Sequence, residues 1–256
     1  MNRVAIVTGA SRGIGLAISK EFLKNGVSVI AVARSHEILA KLQEELVEEY
    51  GQSEFIPCTA DVTKPEDIES INQCLDQTGQ ELCALINNAG VLEPLAKISD
   101  MNIDEWRRHF EVNVTSVVAL TQRLLPALRK SKGCMVNVSS GAATHAYHGW
   151  AAYCASKAAV NMITESIAAE EPDVVAIAIR PGVVDTGMQS IIRSSAGQGA
   201  MRPTEHAKFM ELHESGNLLP PEKPASAIVK LALKAPREIS GQFHSWDSLD
   251  IAKYLQ

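Results

Sequence analysis

Three side chains in the stretch 140–157, SGAATHAYHGWAAYCASK, are of the types that exchange a proton with a carbonyl or alcohol oxygen: Ser140, Tyr153 and Lys157. Tyr153 and Lys157 stand four apart in AAYCASKAAVNMITESIAAE, a run of strong helix formers, so both fall on one helical face. Free tyrosine titrates near pH 10, and each unit of downward shift takes about 1.4 kcal/mol of differential stabilisation of the phenolate. A neighbouring ammonium supplies part of it. Ser140 follows the apolar run 134–138, where a strand would deliver its hydroxyl to the mouth of a site. A Tyr and a Lys at this spacing also occur in helices that do no chemistry, so the pair gains meaning only from the rest of the chain.

A second constellation is Gly9, Ala10, Ser11, Arg12, Gly13, Ile14 and Gly15, between a β-branched run at 3–8 and the amphipathic LAISKEFLKNG. A helix N-terminus with bare backbone amides can hold a pyrophosphate. Glycine is required where a Cβ would block the approach of phosphate to the backbone. The spacing is G-x-x-x-G-x-G, not the G-x-G-x-x-G of the common dinucleotide fingerprint. The next apolar run ends in Ala33, Arg34 and Ser35 without an acid. A site for NAD places an acid there for the ribose hydroxyl, whereas a guanidinium accommodates the 2′-phosphate of NADP. Arg12 and Arg34 could both reach that phosphate, so NADP(H) is the expected cofactor. Asp61, after a third apolar run, could accept from the adenine amino group or cap the following helix.

These residues need a scaffold, and the chain alternates strand and helix throughout. Strands are expected at 3–8, 27–33, 55–59, 82–86, 134–138, 174–179 and 241–245. Helices are expected after Gly15, at 37–50, behind Pro65 at a first-turn position, as one long stretch at 103–130, around Tyr153, and at 224–233. The alternation implies a single-domain, doubly wound α/β fold of Rossmann type, with seven parallel strands and helices on both faces. Residues 186–221, rich in Ser, Gly, Met and His, read as an irregular substrate lid.

At 256 residues the chain is long enough for such a core, and a formal charge of −6 argues against nucleic acid or an anionic membrane as partner. Cys58, Cys74, Cys83, Cys134 and Cys154 form no C-x-x-C pair, which suits a reducing compartment. No run approaches a membrane span. A cytoplasmic protein is expected. Cys154, beside Tyr153, is either redox-sensitive or a buried inert thiol.

In order along residues 3–190, the chain carries TGASRGIG (8–15), Asp61-Val62, NNAG (87–90), Asn113 in EVNVTS, Ser140 in VNVSS, Tyr153-x-x-x-Lys157, and Pro181-Gly182 with Thr186. This set resembles the short-chain dehydrogenase/reductase family. The resemblance implies that Ser140 polarises a substrate carbonyl, Tyr153 is the proton donor or acceptor, Lys157 lowers the tyrosine pKa and bonds the nicotinamide ribose, and Asn113 holds a water in a proton relay. It also implies cofactor contacts from Ile14, Asn88, Val184 and Thr186.

A narrower similarity, to sepiapterin and benzil reductases, covers 181–189, the lid end SGNLLPPEKPA and GQFHSWD (241–247). It makes Asp247 a candidate substrate anchor, or an ordinary turn aspartate. Tyr147, Trp150 and Met188, with His145 and His148, are expected to flank the carbonyl as a partly aromatic pocket. No carboxylate or thiolate completes a metal site with the two histidines, so no metal is expected. The leading expectation is an NADPH-dependent carbonyl reductase of small ketones or α-dicarbonyls, with Tyr153 as general acid. Alternatives are an NADP-dependent alcohol dehydrogenase running oxidatively and a non-catalytic NADP(H)-sensing protein. The resemblance further implies a homodimer or homotetramer through 103–130 and 150–170, although apolar faces there also suit intradomain packing.

Overall fold

An unbroken apolar strand needs cover on both faces, and Ser28–Ala33 is buried at every position. In the computed structural model, which describes residues 2–50 and 54–255 apart from the side chains at 195 and 196, this segment is β2 of a seven-stranded sheet. The other strands are β1 (Arg3–Thr8), β3 (Phe55–Thr59), β4 (Glu81–Asn87), β5 (Cys134–Val138), β6 (Val175–Arg180) and β7 (Phe243–Ser245). Their order is β3-β2-β1-β4-β5-β6-β7, with every pairing parallel.

The helices are α1 (Gly13–Lys24), α2 (His36–Tyr50), α3 (Pro65–Thr78), α4 (Ile103–Phe110), α5 (Ser116–Ser131), α6 (Ala151–Glu170), α7 (Gly187–Arg193), α8 (Ser195–Ala200), α9 (Pro203–Glu214), α10 (Glu222–Lys234) and α11 (Leu249–Ala252). Successive strand residues point to opposite faces. Ala5 and Val7 pack with Phe22 of α1, Leu39 of α2 and Ile228 of α10, whereas Val4 and Ile6 pack with Ile71 of α3 and Leu124 of α5. Both faces are therefore covered, giving the doubly wound, Rossmann-type single domain. The strand order reverses between β1 and β4, and ligands of such sheets bind beyond the strand ends at that point.

Two segments differ from the sequence expectation. The long helix at 103–130 is interrupted at Glu111–Thr115 by a π-turn between α4 and α5, a local widening that recurs at functional sites. Residues 186–221 hold three helices, α7 to α9, where irregular chain is expected. Both ends of this excursion are pinned together: Leu219 N donates to Val183 O (2.9 Å) and Asp185 N to Leu219 O (2.8 Å). The α8 sequence SAGQGA has weak intrinsic helix propensity, so tertiary packing must fold it. At Gly197 a Cβ would overlap the Ile192 carbonyl, so α7 and α8 approach too closely for any larger residue. Among the described residues no helix is long and apolar enough to cross a membrane.

Candidate active site

The glycine loop is held by contacts that leave no room for side chains. Gly9 and Gly13 have φ of +66° and +55°, values that favour glycine. A Cβ on Gly15 would overlap the Gly9 carbonyl and come within 2.6 Å of Asn88 Nδ2. Asn88 Nδ2 donates to Thr8 O (2.8 Å), and the Thr8 hydroxyl accepts from Asn88 N (2.9 Å) and Ala89 N (3.0 Å). The segment 87–90 thereby clamps the glycine loop at the carboxyl ends of β1 and β4.

One cleft runs from this loop to the Tyr153 helix. It is lined by Gly9, Ser11, Arg12, Gly13, Ile14, Arg34, Asp61, Asn88, Ser140, Tyr153, Lys157, Val184, Thr186 and Met188. Arg12 and Arg34 are exposed at its edge. Asp61 does not cap α3, whose N-cap is Lys64; it accepts from Thr63 N (3.0 Å) and Thr63 Oγ1 (2.7 Å). Burial pushes its carboxyl up, but the Thr63 hydrogen bonds and the Arg108 and Arg34 guanidinium groups outweigh this and leave it lowered.

Ser140 follows β5, and its Oγ accepts from Ala142 N (3.2 Å). Lys157 Nζ donates to Val138 O (2.8 Å) and lies 5.7 Å from the Tyr153 ring centroid. Burial pushes the Tyr153 phenol up to about 12, opposed by a hydrogen bond with Ser140, and pushes Lys157 down to about 8. Desolvation outweighs the Ser140 hydrogen bond, and the phenol is held in its protonated form. Two hydroxyls, one buried cation and a glycine loop at a helix N-terminus in one cleft can polarise and protonate a carbonyl oxygen beside a bound dinucleotide.

Residues 3–197 match the family described as short chain dehydrogenase. The chain belongs to the short-chain dehydrogenase/reductase family. It is 40% identical over 254 residues to a benzil reductase ((S)-benzoin forming) of Saccharomyces cerevisiae, covering 95% of each chain. It is 30% identical over 240 residues to the sepiapterin reductase of Rattus norvegicus, covering 89% of this chain and 90% of that one. A short chain dehydrogenase from Shigella flexneri, solved in complex with NADP, superposes with a TM-score of 0.82 at 26% identity, covering 97% of this chain and 98% of that one. As a short-chain dehydrogenase/reductase the chain is an oxidoreductase acting on CH–OH or C=O groups.

Within this family member, several residues singled out from the sequence lie outside the cleft lining. Asn113 sits in the π-turn, 1% exposed, with Oδ1 accepting from Val91 N (2.8 Å) and Nδ2 donating to Val91 O (2.9 Å). Trp150 stacks on Phe209 of α9 (ring centroids 5.7 Å apart) and Tyr147 packs on Trp150 (4.8 Å), so these two pack α9 against the start of α6, with Trp150 edge-on to Tyr153 (5.8 Å). Asp247 is an exposed turn residue accepting from Ser245 Oγ (2.6 Å). His148 Nδ1 donates to Ala200 O (2.7 Å) at the end of α8. Cys154 is partly buried, and burial raises its thiol, which favours the inert reading.

Three residues have roles that the sequence reading missed. Arg108 lines the cleft and lies 3.6 Å from Asp61. Buried His109 donates from Nδ1 to Glu93 O (2.6 Å), leaving Nε2 to accept from Asn113 Nδ2 (2.9 Å). Gln189 lines the cleft beside Met188. Only His109 left a signal in the sequence, its four-residue spacing from Asn113 on one helical face.

Proposed function

We propose that this protein is an NADPH-dependent carbonyl reductase that reduces small ketones or α-dicarbonyls, with Tyr153 as the general acid. The observation that carries the reading is the pairing, in one cleft, of a buried protonated Tyr153 and Ser140 with a glycine cradle flanked by Arg12 and Arg34. That cradle suits a pyrophosphate because its backbone leads into the N-terminus of α1, while the glycines at 9 and 15 let the loop pack tightly on Asn88. The two exposed guanidinium groups suit a ribose 2′-phosphate. Gly9, Ser11, Arg12, Gly13, Ile14, Gly15, Arg34, Asp61, Asn88, Val184 and Thr186 are the residues assigned to hold NADP(H), which when bound supplies the hydride.

The chain's own residues do the rest. The carbonyl oxygen accepts hydrogen bonds from the hydroxyls of Ser140 and Tyr153, where they stabilise the charge that builds on it. Tyr153 Oη gives up its proton to that oxygen as the alcohol forms. Lys157, four residues on, holds positive charge beside the phenolate left behind and orients the ribose. Asn113, whose amide is taken up by Val91, His109 and Ser156, holds α4 and α6 together behind them. The reductase names of the similar proteins from Saccharomyces cerevisiae and Rattus norvegicus support α-dicarbonyl and related ketone substrates.

The test is NADPH consumption with benzil, sepiapterin and simple diketones, alongside Arg34→Asp. Turnover of at least one α-dicarbonyl is expected, with a loss of NADPH affinity of roughly tenfold or more over the loss for NADH, in line with removal of a charge-assisted contact. Binding without turnover of any carbonyl would overturn the reading. Equal losses for the two cofactors would overturn the role of Arg34.

A further inference from the structure

Gln189 is 6% exposed, and its Oε1 is buried with no hydrogen-bond partner. Buried polar atoms are normally paired, because desolvation without a partner is costly. A leucine or methionine would fill the same volume without that cost, so an amide here needs a use that arises when the cleft is occupied. Gln189 lines that cleft together with Ser140, Tyr153 and Met188.

Its place on α7 indicates what it meets. The start of α7 abuts the glycine loop, since a Cβ on Gly13 would lie 3.2 Å from Thr186 Cγ2. Further along, Ile192 packs in the cluster that holds Leu92, Trp150 and Tyr153, with Met188 and Ile191 against it. The helix therefore runs from the dinucleotide cradle toward the reacting phenol, and Gln189, in its first turn and three residues before Ile192 on one helical face, lies between the two.

We infer that the Gln189 side-chain amide is a specificity-determining group that hydrogen-bonds a second oxygen on the substrate, on the carbon next to the reacting carbonyl. This rests on the reductase reading and deepens it. Ser140 and Tyr153 supply donors to the reacting oxygen; an α-dicarbonyl carries another acceptor one carbon away, which Gln189 Nε2 meets as donor. The two ends of the amide are isosteric and exchange by rotation of the terminal group. The same side chain can therefore accept from the hydroxyl of an α-hydroxy ketone. A plain ketone leaves the amide unpaired, and a site that hydrogen-bonds a substrate oxygen discriminates against the analogue lacking it.

The experiment compares benzil with deoxybenzoin, the same skeleton lacking one carbonyl oxygen, in the wild type, Gln189→Met and Gln189→Glu. Methionine keeps the volume and removes both polar ends; glutamate keeps the shape and removes the donor at neutral pH. In either variant the ratio of kcat/KM for benzil over deoxybenzoin is expected to fall by roughly tenfold or more, with circular dichroism showing an intact fold. A ratio that holds within a factor of about two would overturn the inference. So would a loss confined to NADPH affinity, measured by fluorescence quenching, since the amide would then serve the cofactor. A wild type that reduces neither compound would sink the reductase reading and this inference with it, whereas a wild type active on both with an unchanged ratio in the variants sinks the Gln189 inference alone.

Discussion

Tyr153 and Lys157 are 7% and 6% exposed, and burial acts on them in opposite senses: it keeps the proton on the phenol, up to about 12, and loosens the proton of the ammonium, down to about 8. A reductase needs the first effect, since the tyrosine must arrive protonated. The second sets a pH limit. In the folded protein Lys157 loses its charge as pH rises through about 8, whereas in the unfolded chain it keeps its proton up to the usual 10.5. The unfolded state therefore binds more protons in that window, and this group's contribution makes stability rise with pH there. Activity should move the other way: kcat/KM for NADPH falls as pH rises through about 8, and Lys157→Arg, which stays charged, removes the fall. Identical pH profiles for the two proteins would contradict this. The residue types and spacing were legible in the sequence, but the direction of the Tyr153 shift was not. It depends on burial by segments such as Trp150, whose ring meets the phenol edge-on at 5.8 Å.

At the scale of the element, the π-turn at Glu111–Thr115 turns Asn113 inward between α4 and α6, and His109 holds it there. His109 Nε2 also lies 2.9 Å from Ser156 Oγ, which donates to Tyr153 O (2.8 Å). The imidazole joins Glu93 to Asn113, and Asn113 joins Val91 and, through Ser156 Oγ (3.2 Å), α6. Removing the imidazole takes the donor from Glu93 O and the shorter acceptor from Asn113 Nδ2, which keeps Ser156 Oγ at 3.2 Å, so His109→Leu is expected to cost about 1–3 kcal/mol in denaturant unfolding. Burial lowers the His109 pKa below 6.5, with the Lys157 charge adding to it and the Glu93 hydrogen bond opposing. The folded state resists the proton that the unfolded state takes up, so stability from this group is lost as pH falls below 6.5. The variant should show a flatter acid limb; an unchanged limb with unchanged stability would remove His109 from this role. Apolar periodicity gave a helix over 103–130, but it carries no mark of a π-turn, because the extra residue is accommodated by buried hydrogen bonds from distant segments.

On the whole-molecule scale, the strands and the order of the motifs could be read directly. Runs such as SVIAVA are apolar on both faces only because helices cover both, and the glycine loop follows β1 as a dinucleotide cradle requires. The segment 186–221 was opaque for the converse reason: α7 to α9 take their stability from contacts far along the chain. Phe209 of α9 is 4% exposed and packs on Trp150 and Tyr147, and Met201 and Ile192 join the same cluster. Tyr147 and Trp150 are thus the residues on which α9 packs. Truncating a buried aromatic costs about 3–5 kcal/mol. Because the lid is pinned at 183–185 and 219, Phe209→Ala should open it locally before the sheet unfolds. Limited proteolysis should then cut within 186–218 well before global loss of structure; cleavage no faster than in the wild type would show that the cluster does not hold the lid.

The scales meet in Tyr153, delivered by α6, covered by Trp150 and sharing one cleft with the glycine loop. The most direct measurement is NADPH oxidation by benzil in Tyr153→Phe, with NADPH affinity followed by fluorescence quenching. Turnover is expected to fall by about 10²–10⁴-fold, the usual contribution of a general acid, while NADPH affinity is retained. Turnover equal to that of the wild type would contradict the account.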